Sequence, residues 1–349
     1  MTSWQKILKK SITSPQELVR HLGGNSHDLA RVAARYPLRI NPYYLDLIKK
    51  NGKPLYRQAV PDLRELDDAD GMTDPLAEER LSPVANLVHK YPDRALFLVC
   101  NKCAMYCRFC TRKRKVGTPG MRITEQTLEA GFNYLSKTPR IREVLLSGGD
   151  PLLLDDSRLE YILGRLREIP SIEVVRIGTR VPCTLPMRVT DELAAMLKKF
   201  HPLYINTHFN HPAEITPEAT LACTRLADAG IPLGCQTVLL RGINDDARTM
   251  YRLMRKLLAI RVKPYYLFQA DLTRGTSHFR TRIETGLGIM QHLIGNLSGM
   301  AVPTFALDAP GGGGKIPLTP SYVNSCGKTL EFTTWQGTPC SYPNQKQNS

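Results

Sequence analysis

Cys103, Cys107 and Cys110 fall in the run Cys100-Asn-Lys-Cys-Ala-Met-Tyr-Cys-Arg-Phe-Cys110, a C-x-x-x-C-x-x-C spacing on one short stretch. Three thiolates so close in sequence can hold three corners of a cubane iron–sulfur cluster. A [4Fe–4S] cluster ordinarily takes four cysteine ligands. A three-cysteine loop therefore leaves one iron open to bind and cleave a small molecule rather than only pass electrons. Taken alone, the triple also fits a structural zinc loop, whose ligands usually come as C-x2-C pairs over two loops, or ordinary buried cysteines.

Two further runs are suited to holding ligands. Ser147-Gly148-Gly149-Asp150-Pro151 follows an apolar stretch, and its paired glycines let backbone N–H and C=O groups approach an amino-acid head group closely; by itself it also reads as a tight turn. Asp308-Ala-Pro-Gly-Gly-Gly-Gly-Lys315 is not a phosphate-binding P-loop, because Ile316 stands where that motif needs Ser or Thr. Four glycines clear side chains from around one lysine and leave room for a flat ring beside its amine, which suits a Schiff base with pyridoxal 5'-phosphate (PLP). The plainer reading is a flexible loop with a solvated lysine.

Secondary structure must carry these side chains to one place. Before about residue 90 the chain reads as helical and polar. Ser14-Pro-Gln-Glu17 is a capping box with proline at the first helical position, and Asn41-Pro-Tyr-Tyr-Leu-Asp-Leu-Ile48 starts another helix. The stretch Asp62–Glu79 is acidic and reads as irregular. From about residue 94, short apolar runs alternate with amphipathic segments: Ala95–Val99, Glu143–Leu146, Val174–Ile177, Leu203–Ile205, Thr237–Leu240 and Pro264–Phe268. Thr124, Thr190 and Thr216 mark helix starts between them. Such alternation is the βα pattern of a parallel sheet, and in a barrel built this way the functional face is where the strands end. The expected fold is α/β, a partial (β/α)6 barrel over 91–285. An N-terminal helical region over 1–90 precedes it, and a C-terminal segment with the glycine–lysine loop over 286–349 follows.

The bulk properties narrow the class. A chain of 349 residues, 42% hydrophobic, can bury a sizeable core and is not wholly disordered. No apolar run approaches the roughly 20 residues that cross a bilayer as a helix. Nine cysteines without a secretory pattern point to a reducing cytoplasm. The net charge is +15, from 47 Lys+Arg against 32 Asp+Glu, a balance that favours polyanions in general. The basic residues are scattered, however, and the densest run, Arg112-Lys-Arg-Lys115, directly follows the cysteine loop. Carboxylates, phosphates or an anionic cofactor assembly suit it as well as nucleic acid does, so nucleic acid is not the expected partner.

Taken together, the motifs resemble the lysine 2,3-aminomutase family of PLP-dependent radical S-adenosylmethionine (SAM) enzymes. The resemblance runs from about Tyr36 to Gly337. It takes in Tyr91-Pro-Asp-Arg94, Cys103–Arg114, Leu146–Pro151, Ile177-Gly-Thr-Arg180, His208-Phe-Asn-His-Pro212, Gln236-Thr-Val-Leu-Leu240, Gln269-Ala-Asp-Leu272, His278-Phe-Arg-Thr281 and the glycine–lysine loop. It implies a radical SAM-type partial barrel and an isomerase that turns L-lysine into β-lysine. It also implies a [4Fe–4S] cluster on Cys103, Cys107 and Cys110, SAM at the open iron, and PLP on Lys315 with Arg94 in contact. Ser147, Gly148, Gly149 and Asp150 then hold the methionyl part of SAM, with His208 and Gln236 beside it. Arg112 takes the substrate carboxylate, a task that suits a planar guanidinium able to give two parallel hydrogen bonds. Asp271 and Asp308 grip the side-chain ammonium, two anions offsetting desolvation better than one. In this chemistry a SAM-derived 5'-deoxyadenosyl radical takes a hydrogen from carbon 3 and later returns it, so SAM is regenerated.

Some positions depart from the family pattern. Asp246 stands where a mid-chain zinc-binding cysteine is expected, and the tail carries only Cys326 and Cys340, so the family's intersubunit zinc site is not carried over. Phe268 replaces a tyrosine near the adenosyl group. The expected partners are L-lysine, an electron donor such as ferredoxin or flavodoxin, and a second copy of the chain in a homo-oligomer. The rival readings are an aminomutase for another cationic amino acid such as arginine or ornithine, a supplier of β-lysine for translation-factor modification, and a basic iron–sulfur nucleic-acid-binding protein.

Overall fold

The computed structural model describes residues 2–345. Helices α1 (Ser3–Lys9), α2 (Pro15–Leu22), α3 (Ser26–Arg35), α4 (Pro42–Asn51) and α5 (Lys53–Ala59) come first. Ser14 caps α2 by accepting the Glu17 N–H at 3.4 Å, with Pro15 in the first turn, and Asn41 caps α4 by accepting the Tyr44 N–H at 3.0 Å. After Ala59 the acidic stretch is irregular apart from one 3-10 turn at Leu63–Glu65.

A hairpin of β1 (Leu87–Tyr91) and β2 (Arg94–Cys100) opens the main sheet. Then follow α6 (Glu125–Ser136), β3 (Glu143–Gly148), α7 (Asp156–Arg167), β4 (Val174–Gly178), α8 (Val181–Thr184), α9 (Asp191–Lys198) and β5 (Leu203–Thr207). The sheet is completed by α10 (Pro217–Asp228), β6 (Leu233–Leu239), α11 (Ala247–Ala259), β7 (Val262–Gln269), α12 (Ile283–Leu293), β8 (Thr304–Ala309) and β9 (Gly314–Pro317). Thr124, Thr190 and Thr216 cap α6, α9 and α10 through their hydroxyls, as their positions lead one to expect. The strands lie side by side in chain order. β2 to β8 run parallel, and β1 and β9 run antiparallel at the two edges.

The sheet thus has seven parallel strands where the sequence reading gives six. The addition is β8, which pairs with β7 through Tyr266↔Thr304 and Phe268↔Ala306. The glycine–lysine run is therefore the turn of a β8–β9 hairpin in the main sheet, and Asp308 lies directly opposite Lys315 in its register. β10 (Val323–Cys326), β11 (Thr329–Thr333) and β12 (Pro339–Pro343) form a separate antiparallel sheet that is largely exposed.

Side chains alternate along the parallel strands. On β3, Val144 and Leu146 are fully buried in one core with Leu128 and Phe132 of α6, whereas Leu145 and Ser147 are half-buried on the opposite face. On β6, Cys235, Thr237 and Leu239 are buried while Gln236 and Val238 face the other way. This second face lines the inside of a nearly closed barrel. Side chains draw its two edges together: Tyr91 on β1 accepts a hydrogen bond from the Lys315 N–H of β9 at 3.0 Å, and Lys90 Nζ stands 3.6 Å from Asp308 of β8.

Candidate active site

The cysteine loop leaves the end of β2 and is tied down by the N-terminal region. Tyr106 N–H donates to the Arg39 carbonyl at 3.1 Å and Arg108 N–H to the Gln58 carbonyl at 2.9 Å. Below the loop, buried Glu65 receives both Arg108, at 2.9 and 2.6 Å, and Lys113, at 2.7 Å. Burial opposes ionisation of Glu65, yet these two cations outweigh it and hold the carboxyl below its ordinary range. The acidic stretch is thus the counter-charge of the basic run.

Cys103, Cys107 and Cys110 are free thiols. Burial and the neighbouring Cys107 push the Cys110 thiol up to about 11, and burial raises Cys103 as well. A thiol set of this kind gives up its protons to a cationic metal centre. Among the described residues, no three such side chains close on a single metal ion. Each of these three can go to a different iron, so the donor set fits a cluster held at separate corners. Buried Arg180 gives one N–H to Cys107 Sγ at 2.8 Å while its other terminal nitrogen is held by Gln58 at 2.6 Å and Glu214 at 2.8 Å.

The glycines at the end of β3 serve the protein's own backbone first. Gly148 has φ 139°, a conformation other residues rarely adopt, and a Cβ there would collide with the Cys100 carbonyl. Gly149 N–H donates to that same carbonyl at 2.6 Å. Asp150 departs from the expectation of a ligand-facing residue. Its carboxylate is buried and accepts from Thr179 Oγ1 at 2.6 Å, Leu152 N–H at 3.1 Å and Arg180 N–H at 2.7 Å. It joins the ends of β3 and β4; desolvation raises its pKa, and these donors oppose the rise.

Ser147 does face inward, and its hydroxyl accepts from Arg112 Nη1 at 3.2 Å. Arg112 is further held by Glu78, with Nε at 2.9 and 2.8 Å and Nη2 at 2.5 Å from its oxygens. His208 bonds Asn210 at 2.9 Å and packs against Phe109 with ring centres 5.5 Å apart. Burial, aided by Arg180, pulls it down to about 3, so the ring is neutral at physiological pH. Gln236 points into the barrel from β6.

At the other side of the barrel, Lys315 Nζ lies 3.4 Å from Asp308 and 5.3 Å from the centre of the Phe268 ring, which stacks on Tyr266 at 4.9 Å. Arg94 lies over the Tyr91 ring at 3.8 Å and pairs with Asp93 at 2.8 Å. It therefore stands one side chain away from the Lys315 backbone. Burial and the charge of Asp308 push the Asp271 carboxyl up to about 7, with Lys315 and Lys90 opposing the shift. A lysine amine, aromatic walls and an arginine converge here, which fits PLP in chemical type. Asp246, by contrast, is a helix cap, accepting the Thr249 N–H at the start of α11 at 2.8 Å.

Sequence reasoning gave Glu78, Lys90 and Arg180 no role, although Arg180 lies in a quoted motif. The signal for Glu78 was the match of an acidic stretch to a basic run of opposite sign. For Lys90 it was adjacency to Tyr91-Pro-Asp-Arg94.

Comparison with known proteins bears on the whole chain. A family model described as Lysine-2,3-aminomutase matches residues 290–348, and one described as Radical SAM superfamily matches residues 97–254. The L-lysine 2,3-aminomutase of Fusobacterium nucleatum subsp. nucleatum is 48% identical over 328 residues, spanning 92% of this chain and 77% of that one. The enzyme of the same name from Clostridium subterminale is 48% identical, spanning 92% and 79%. The glutamate 2,3-aminomutase of Clostridioides difficile is 46% identical over 312 residues, spanning 88% and 74%. Overall identity separates these two activities by little, so the substrate must be argued from side chains, but the class is common to all three: this chain belongs to the lysine 2,3-aminomutase family of radical SAM enzymes.

Proposed function

We propose that the protein is an L-lysine 2,3-aminomutase, an isomerase that moves the α-amino group of L-lysine to carbon 3 and a hydrogen from carbon 3 to carbon 2. As a radical SAM enzyme of this family it works with a [4Fe–4S] cluster, SAM and PLP. When bound, the cluster and SAM supply a 5'-deoxyadenosyl radical that removes and returns one hydrogen, and PLP supplies a conjugated ring that delocalises spin while nitrogen migrates.

The residues divide the remaining work. Cys103, Cys107 and Cys110 hold the cluster, and Lys315 attaches PLP through its ε-amine, with Arg94 beside the cofactor's anionic oxygens. Ser147, the backbone of Gly148 and Gly149, His208 and Gln236 line the SAM side, while Asp150 keeps that turn in shape. Arg112 binds the substrate carboxylate. Asp271 and Asp308 bind the side-chain ammonium, which takes over the counter-ion place that Lys315 and Lys90 share at Asp308. Tyr266 and Phe268 keep water from the reacting carbon. The protein's main contribution is distance, because carbon 3 must be held beside the radical source.

The observation that carries the lysine reading is the β8–β9 register. It sets an aspartate opposite the cofactor lysine, and Asp271 shares its field. Such an anionic pocket suits a cationic side chain and repels glutamate. We extend the reading to an external one-electron donor such as ferredoxin or flavodoxin, a cytoplasmic location and a homo-oligomer. Three features support the extension: the nine free cysteines, the absence of any membrane-crossing helix among the described residues, and exposed Val323, Trp335 and Tyr342 on or beside the C-terminal sheet. The test is anaerobic turnover of L-lysine, L-ornithine, L-arginine and L-glutamate by reconstituted enzyme with dithionite, reading products by mass spectrometry. β-Lysine formed with the highest kcat/KM and no net SAM loss is expected. Preference for glutamate would sink the substrate assignment, and preference for ornithine or arginine would move it within the cationic class.

A further inference from the structure

We propose that Glu78 is the positioning residue that aims Arg112 at the substrate carboxylate; this rests on the reading of Arg112 given above. A guanidinium carries five N–H bonds in a rigid plane. Glu78 takes the edge formed by Nε and Nη2, with all contacts between 2.5 and 2.9 Å. Ser147 Oγ and the Gly148 carbonyl accept from Nη1 at 3.2 and 3.5 Å. The plane is thus fixed along one edge and one corner. In the fork between Nη1 and Nη2, Nη2 keeps one N–H without an acceptor, and the 3.5 Å contact of Nη1 to the Gly148 carbonyl is the long one that a carboxylate would replace. Together they give the donor pair a carboxylate accepts bidentately. Glu78 is itself 5% exposed, so the pair is shielded from the screening that makes surface ion pairs weak.

Glu78 belongs to a strap that touches both ends of the site. Asp74 and Glu79, on either side of it, each pair with Arg114 at 3.1 Å, and Glu79 also takes Lys115 at 2.9 Å. The Pro75 carbonyl accepts the Gly311 N–H at 3.0 Å, and Arg80 donates to the Gly311 carbonyl at 2.7 Å. Gly312, at φ 83°, lets the strap close in, since a Cβ there would sit 2.8 Å from Leu81 Cδ1. One short segment therefore references Arg112 and the lysine loop to each other, and Glu78 is its contact at the carboxylate end.

The test compares Glu78→Ala, Glu78→Gln and Arg112→Gln holoenzymes on two ligands. The readouts are KM and kcat for L-lysine and the inhibition constant of L-lysinamide, which lacks the carboxylate. Iron content and PLP absorbance report loading. For Glu78→Ala the KM for L-lysine should rise about tenfold, the size of one lost charge-assisted hydrogen bond. Its kcat should change much less, and L-lysinamide should bind as to the wild type. Glu78→Gln keeps an acceptor for Nε and should recover part of the loss; it carries the comparison alone if the alanine variant fails to load. An unchanged or lowered KM, or equal weakening of both ligands, would overturn the proposal. Arg112→Gln separates the two levels. If Arg112→Gln weakens lysine and lysinamide equally, or weakens neither, the carboxylate reading of Arg112 falls; if it weakens lysine alone and the Glu78 variants do not, only the role of Glu78 falls.

Discussion

The two ends of the proposed substrate site are built on opposite electrostatic plans. At the Arg112 end the charge is already answered, since Glu78, Ser147 and the Gly148 carbonyl hold the guanidinium at 2.5–3.5 Å. At the aspartate end the charge is answered only loosely. Asp308 is approached by Lys90 and Lys315 only to 3.6 and 3.4 Å, and burial together with the charge of Asp308 pushes Asp271 up to about 7. A fixed cation costs nothing further to organise when a carboxylate arrives, whereas a pair of crowded acids gains most when a third cation enters. Under the proposed reading, the first end supplies geometry and the second supplies selectivity.

Removing the group between the two ends should have the largest effect. Lys315→Ala is expected to abolish turnover and the PLP absorbance while iron content stays at the wild-type level; retained turnover would contradict the cofactor assignment. Next comes Arg112→Gln. Hydrogen bonds to a charged group contribute about 1.5–3 kcal/mol, so KM for L-lysine should rise roughly 10- to 150-fold. An effect confined to kcat would argue that the arginine does not bind substrate. The aspartate end should respond less and with a pH signature. Asp271→Asn should raise KM about tenfold at pH 8 but much less at pH 6, where wild-type Asp271 already carries its proton. Equal effects at both pH values would remove the titratable acid from the account. The smallest change is expected at Asp246→Ala, outside either end. It loses a helix cap worth about 1 kcal/mol, so thermal unfolding should come earlier with KM for lysine unaltered.

The same contrast explains what the sequence could reveal. The cysteine spacing and the glycine–lysine run are local, and each states its chemistry in a few residues. Helix starts at Thr124, Thr190 and Thr216 were legible for the same reason, because a cap acts within three residues. β8 was not legible. Thr304–Ala309 is a six-residue run with an acid inside it, and only its pairing with β7 makes it a strand. Asp150 shows a different limit: an aspartate beside glycines has the same residue type whether it faces a ligand or the N–H groups of Leu152 and Arg180. Glu78 needed the third dimension as well. It stands 34 residues from Arg112, and the sequence shows only that an acidic stretch and a basic run have opposite sign.

The measurement that bears most directly on the two-ended site is the KM of L-lysine as a function of pH in the holoenzyme. The inhibition constant of L-norleucine, which keeps the carboxylate and α-amine but lacks the side-chain ammonium, is followed over the same range. Burial and Asp308 raise the Asp271 carboxyl to about 7 with Lys315 opposing as a free cation. Tying Lys315 to PLP weakens that opposition, so Asp271 ionises from neutral pH upward while the ammonium of lysine keeps its proton. The site therefore gains a counter-ion as pH rises. KM for L-lysine should fall through that interval and the norleucine constant should stay level. A flat KM, or a norleucine constant that follows it, would contradict the assignment of the aspartate pair to the substrate's cation.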